Sequence, residues 1–431
     1  MHVATNILVV GFLVFVAHAF TGLFSRTRVP DVLLLTIIGI LLGPVLHLVT
    51  PDNFGAIGPV FATVTLVIIL FEAGLSLDLT ILRGVVRPTL TLTLTNFLAT
   101  MVAVGILAHF MLGLNSRLTL MLGAIIGSTS PAVIVPLTRK LTMAESSKTI
   151  VFLESAVSDV LSIVVAIGFM DSYRLGTLRL GQMVGQIIAT LVLAGLAGAA
   201  GAVLWSALLR RIRGLENSIF TTPAFVFVLF GLVEILGFSG YVAAAVFGAV
   251  LGNIQAFHGM AWMRRYLPDE PITLNETERI FLGEAVFLLK TFFFVYVGVS
   301  IKFTDLRLVY IGLALTFLVF LIRIPAAWIG LDRNMPVRDA SLVAIMSPKG
   351  LAAVVLASLP LEQHIDSGKD LQAITYCIVF MSIVLTSVLS FLIERTRLAG
   401  FYGYLFRGFG RNSTIIPPLL EQKSKPYRIG S

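Results

Sequence analysis

The sequence predicts an all-α polytopic membrane protein of about 13 transmembrane helices, arranged as two inverted six-helix repeats with paired broken helices. Three observations predict it. The chain of 431 residues is 57% hydrophobic and only 13% charged, where a soluble globular protein is about a quarter charged. The apolar residues come in blocks of about 20, the length that crosses a bilayer core as a helix and too long and uniform for barrel strands. Two of those blocks carry Ser-Pro near their middle, at matching places in the two halves of the chain.

Each element follows from these blocks. The first, 4–24, has no basic stretch before it, so it is expected to be a span and not a cleaved leader. Blocks at 31–50, 57–77, 89–113, 117–137 and 148–170 complete a first repeat over about 4–170. A linking helix covers about 182–209. Blocks at 218–235, 239–254, 279–301, 307–329, 338–360 and 372–393 make a second repeat over about 218–393. Six spans plus a linker displace the second repeat by an odd number of crossings, which inverts it in the membrane. Residues 1–393 thus form one transmembrane domain, and 394–431 a short cytoplasmic tail. The aromatics and arginines of its first part suit either the inner membrane surface or a partly disordered end.

Orientation follows from the cations. With the N-terminus outside, the outward loops hold only Arg117, Arg174, Arg179, Lys302, Arg307 and Lys369. Most of the other cations among the 31 Lys and Arg fall on inward loops and the tail, the asymmetry expected of cytoplasmic segments. Lys290, Arg323 and Lys349 lie inside spans. The net charge of +8 is therefore topological and does not point to nucleic acid. The six histidines show no metal-ligand spacing, and the one cysteine, Cys377, sits in an apolar block. No cofactor is implied.

The two interrupted blocks read "IIGSTSPAVIVP" (125–136) and "AIMSPKGLAAVV" (344–355). Proline removes a helix hydrogen bond and frees backbone groups at membrane depth. Such groups are tolerated only against protein or a wet cavity. Paired breaks in inverted repeats mark the binding site of a secondary transporter.

Depth comes from position along a span. The sixth span, 148–170, centres on Asp159, and the twelfth, 338–360, on Lys349. Glu154 lies five residues inward of its span's centre, and so does Arg323 in the antiparallel eleventh span, 307–329. At 1.5 Å per residue both are about 7–8 Å inward, which makes them a candidate buried ion pair. Ser155, Asp159 and Ser162 form one polar stripe, flanked by Ser158, while Glu154 points about 140° away. Asp159 has hydroxyls as neighbours and no evident counter-ion. A midplane carboxylate of that kind must take up a proton or a cation. Serine oxygens and freed carbonyls are the ligands a hard alkali cation takes, so Na⁺ or K⁺ at Asp159 is the expected metal ion. Lys349 is expected to neutralise a helix end at the break.

The stretches "LFEAGLSLD" (70–78), "GSTSPAVIVP" (127–136), "ESAVSD" (154–159), "LIRIPAA" (321–327) and "SPKGLAA" (347–353) together resemble the cation/proton antiporter superfamily. The resemblance is to the prokaryotic sodium/proton antiporters and the sodium/proton exchangers, and it covers nearly the whole chain. It implies a dimerisation domain, hence a homodimer, and a moving six-helix core. The final aspartate of Glu-Ser-x-x-x-Asp, here Asp159, would carry the ion, and Glu154 would pair with Arg323. The chain departs from the family at two places. Thr129-Ser130-Pro131 stands where Thr-Asp-Pro is common, and Ser158 where asparagine or aspartate precedes the ion-binding carboxylate. Glu72 is a candidate to restore the missing negative charge.

The resulting expectation is a secondary antiporter, not an enzyme, exchanging Na⁺ or K⁺ for H⁺ by alternating access. The ion and proton site would comprise Asp159, Ser158, Ser155, Thr129, Ser130 and Glu72. Ser158 does not titrate, which implies electroneutral exchange. The expected location is a prokaryotic inner (plasma) membrane with the C-terminus cytoplasmic. A cation channel and an electrogenic K⁺/H⁺ antiporter are the alternatives. An intramembrane protease fits less well, because no second aspartate sits at span centre and no histidine lies at the depth of Ser130.

Overall fold

A computed structural model describes residues 11–12, 14–19, 31–50, 57–77, 82–175, 180–212, 218–254, 274–301, 305–365, 367–395 and 398–410. The described residues are helical with no strand. The helices are α1 (Asp31–Ile40, continued by a wide turn at Leu41–Val45), α2 (Ile57–Leu75), α3 (Leu82–Leu112), α4 (Ser116–Gly127), α5 (Pro131–Lys140), α6 (Glu145–Leu175) and α7 (Leu180–Ile212). They continue with α8 (Thr221–Ile235), α9 (Gly240–Gly252), α10 (Glu276–Ser300), α11 (Leu306–Gly330), α12 (Val337–Ile345), α13 (Leu351–Glu362), α14 (Gly368–Arg395) and α15 (Leu398–Leu405). Seven of the described helical stretches are long and apolar enough to cross a membrane by themselves, among them Ser116–Lys140, which takes in the break between α4 and α5. Shorter apolar helices account for the expected spans near 31–50, 57–77, 218–235 and 239–254. The first expected span lies mostly outside the described residues, so the count of thirteen is not reached among them.

Local chemistry sets the ends. The Asn115 side chain accepts from Arg117 N at 2.9 Å and starts α4, and Asp305 does the same for Arg307 at the start of α11, at 2.8 Å. Asn275 and Glu278 close a capping box on α10, satisfying donors that the first turn leaves free. Pro131 opens α5, where its missing N–H costs nothing.

The helices sort into two bodies. In one, α3 lies along α4, α6 and α11, while α14 packs on α11 and α13 and carries α12. In the other, α9 packs on α2, α7 and α8, and α10 on α1. The second body is held by small residues that let backbones approach, the usual adhesive of helices in lipid. A Cβ on Gly198 of α7 would strike the Ala243 carbonyl of α9, and one on Gly74 of α2 the Ala245 carbonyl. The glycine run at 193–202 thus serves helix packing within the chain at Gly198. Both bodies draw helices from both halves of the sequence.

On α3, Val86, Leu90, Leu94, Leu98, Val102, Ile106 and Phe110 are exposed at every fourth residue, the face it turns to lipid. The start of the tail is packed: Tyr402, Phe406 and Phe409 are buried with the end of α14 and α12. Residues 411–431 lie outside the described residues.

Candidate functional site

The site is built where the two broken helices meet. Between α4 and α5 the chain unwinds at Ser128–Ser130, and between α12 and α13 at Met346–Gly350. The two extended stretches join through Ser130 N donating to the Pro348 carbonyl at 2.8 Å. A Cβ on Gly350 would collide with the Ser130 hydroxyl, so this approach requires glycine. Lys349 is fully buried, and its Nζ donates to the Ser128 carbonyl at 2.8 Å and to Ser347 Oγ at 3.1 Å. Its own N–H donates to Ser382 Oγ of α14 at 2.9 Å. The ammonium therefore sits at the carbonyl end of α4, where the helix dipole is negative.

α6 runs past this crossing. Glu154 Oε1 and Oε2 accept from Arg323 Nη1 and Nη2 at 2.9 and 3.1 Å, and neither side chain has any exposure. Thr129 Oγ1 donates to Glu154 Oε2 at 3.1 Å, and Arg323 Nε donates to the Val343 carbonyl at 3.2 Å. The fork-on-carboxylate geometry with extra hydrogen bonds is what a buried pair needs to offset its desolvation. One turn on, Ser158 Oγ accepts from Thr129 N at 3.1 Å and donates to the Ser155 carbonyl at 3.0 Å. Ser155 Oγ donates to the Phe152 carbonyl and Ser162 Oγ to the Ala124 carbonyl.

Asp159 is placed differently from Glu154. It is in no salt bridge among the described residues, lies close to the Ser128 side chain, and feels Lys349 across the crossing. It lines a cavity of about 330 Å³ between the two bodies. Pro131, Ala156, Ile163, Ala352 and Leu356 form one wall, and Thr63, Leu66, Leu70, Ser239 and Tyr241 the other. A second cavity of about 300 Å³ lies at the opposite end of α2 and α6, lined by Ser76, Thr138, Arg139, Glu145, Lys148 and Phe152, and Asp159 does not reach it.

A sequence model described as the sodium/hydrogen exchanger transmembrane domain matches residues 11–395. The chain belongs to the sodium/hydrogen exchanger family. It is 25% identical over 353 residues to Na⁺/H⁺ antiporter 1 of Methanocaldococcus jannaschii, covering 77% of this chain and 78% of that one. It is 23% identical over 376 residues to the Na⁺/H⁺-K⁺ antiporter GerN of Bacillus cereus, covering 85% and 90%. The solved structure of the sodium proton antiporter MjNhaP1 from Methanocaldococcus jannaschii at pH 8 superposes with a TM-score of 0.67 at 21% identity, covering 94% of this chain and 99% of that one. That likeness establishes the shared fold.

In this member of the exchanger family, the structure gathers Thr129, Ser130, Glu154, Ser155, Ser158, Asp159, Arg323 and Lys349 at the crossing. It does not bring Glu72 there. Glu72 sits near the end of α2 and pairs with Arg139 at the end of α5, against the second cavity. The hydroxyls of Ser155 and Ser158 are committed to backbone groups, so they shape the site more than they face the cavity. Residues that sequence reasoning passed over include Ser128, which lies inside the quoted Ser-Thr-Ser-Pro motif. Tyr241 and Ser239 carry no signal in the sequence, because they come from the other body. Asp339, buried at the start of α12, accepts from Ala144 N and Ser147 Oγ at 2.9 and 2.7 Å and ties the α5–α6 turn to α12.

Proposed function

We propose that the chain is a secondary antiporter exchanging a monovalent cation, Na⁺ or K⁺, for protons, with Asp159 as the shared site. One observation carries this reading. Asp159 is the half-buried carboxylate of the crossing that forms no salt bridge among the described residues, and it faces a cavity between two helical bodies. A carboxylate so placed is stable when it holds a proton or a cation. Glu154, neutralised by Arg323, is not available for that role.

Alternating access follows from the placement of the cavities. With the N-terminus outside, the cavity at Asp159 lies on the outward side, while the Glu72–Arg139 pair spans the two bodies on the inward side. Rocking one body against the other would exchange the side to which Asp159 opens. The relatives named above, sodium/proton antiporters and a Na⁺/H⁺-K⁺ antiporter, support Na⁺ or K⁺ as the cation. Ser158 beside Asp159 supports one proton per cation, hence electroneutral exchange. Residues 4–170 and 218–393 are read as inverted repeats, the exposed apolar face of α7 as a surface for a second copy, and the membrane as a prokaryotic inner membrane with the tail inside.

The test is flux. Purified protein in liposomes containing a pH-sensitive dye should move protons when Na⁺ or K⁺ is added, and Asp159→Asn should abolish that movement while folding normally. Cation-driven proton flux retained in Asp159→Asn would refute the site. Conduction that follows voltage without coupling to protons would favour a channel.

A further inference from the structure

We propose that the cleft where α3 begins and α11 ends, between Arg87 and Arg333, binds the phosphodiester headgroup of an anionic phospholipid. The cleft has a volume of about 290 Å³ and is lined by Arg87, Pro88, Thr91, Ile329, Asp332 and Arg333. It shares no lining residue with the ion cavity. α3 and α11 lie side by side here: a Cβ on Gly330 would strike the Leu92 backbone.

Charge and position both point to a lipid. Two guanidiniums face one carboxylate, and that carboxylate already accepts from Asn334 N at 2.9 Å. The excess of one positive charge matches a phosphodiester, which carries one negative charge. Arg87 is exposed and has no side-chain partner among the described residues. The Arg333 guanidinium lies between the rings of Trp328 and Phe409, with centroids at 3.8 and 4.6 Å. Stacking fixes its plane and leaves its N–H edge to grip two phosphate oxygens. The cleft opens where the lipid-facing stripe of α3, ending in Leu90 and Val86, meets exposed Leu321, Trp328 and Ile329 of α11. An acyl chain can follow that seam while the headgroup stays at the cleft, and a tryptophan at the interface level fits the same depth. A free phosphate ion has no use for the apolar seam. On the positive-inside orientation the cleft lies in the cytoplasmic leaflet, where anionic lipids attract each arginine.

The experiment compares phosphatidylglycerol with phosphatidylcholine on the intact chain. Native mass spectrometry would count retained lipids. Brominated forms of each lipid would quench Trp328 in a Trp205→Phe/Trp262→Phe background. The expected result is preferential retention and quenching by phosphatidylglycerol. Arg87→Gln should weaken that preference about fivefold, Arg87→Lys should largely keep it, and neither should change quenching by phosphatidylcholine. Equal binding of the two lipids, or an unchanged preference in Arg87→Gln, would overturn the proposal. Displacement of phosphatidylglycerol by inorganic phosphate would also overturn it, by making the cleft a simple anion site. If the tryptophan-depleted background does not fold, the mass spectra of wild type and Arg87→Gln decide alone.

Discussion

Glu154 and Asp159 show how five residues along one helix separate two carboxylates into different chemistry. Glu154 meets a guanidinium in a two-bond fork with no exposure on either side. Asp159 lies near the Ser128 side chain and faces a cavity. Removing one partner of the Glu154–Arg323 pair leaves a buried charge with nowhere to go, at a cost of about 3–5 kcal/mol. Glu154→Gln and Arg323→Gln should therefore each lower unfolding stability in detergent by that order. The double variant should lose much less than the sum, because neither charge is then stranded. Additive losses would show that the pair is not the source of the stability.

At the scale of elements, the crossing of the two broken helices is held by close approach. Ser130 N reaches the Pro348 carbonyl only because residue 350 lacks a Cβ. Gly350→Ala should push the two extended stretches apart, lower stability by about 1–3 kcal/mol and sharply reduce exchange, since the Lys349 contacts and the Asp159 setting share that crossing. Normal exchange in Gly350→Ala would mean the crossing tolerates a shift. The Glu72–Arg139 pair belongs to the same scale, because it links α2 of one body to α5, which packs on α6 of the other. Being partly exposed, it adds little to stability, but as a link between the bodies it is expected to oppose opening at the inward end. Glu72→Gln should shift the protein toward inward opening. An Ala156→Cys reporter on the outward cavity should then react more slowly with an impermeant thiol reagent added outside, against the buried Cys377 background. An unchanged labelling rate would remove the latch role.

For the whole molecule, stoichiometry is the property that one titrating carboxylate per cycle sets. On the proposed mechanism, with Ser158 beside Asp159 and Glu154 neutralised, one proton would leave for each cation that binds, and no net charge would cross. The sodium gradient that nulls proton flux should then be independent of a potential clamped with K⁺ and valinomycin, provided K⁺ is not itself carried. A voltage-shifted null point would show a second proton in the cycle. Ser158→Asp adds a second carboxylate and should make the null point voltage-sensitive, since each elementary charge moved is worth about 2.3 kcal/mol per 100 mV.

Much of this was legible in the sequence, because a bilayer turns position along a span into depth. Apolar blocks set which residues are helical, the matched Ser-Pro interruptions located the breaks, and counting from span centres put Asp159 and Lys349 at one level and Glu154 and Arg323 at another. Depth along the membrane normal is a one-dimensional quantity, and one dimension is what a sequence carries. Lateral position is not. That α2 and α9 wall the Asp159 cavity with Tyr241 and Ser239, that Glu72 spends its charge on Arg139, and that Phe406 and Phe409 fold back onto the core all depend on which helices stand side by side. Neighbours in the plane of the membrane are chosen by small-residue packing between segments far apart in the chain. Only the tertiary structure decided them.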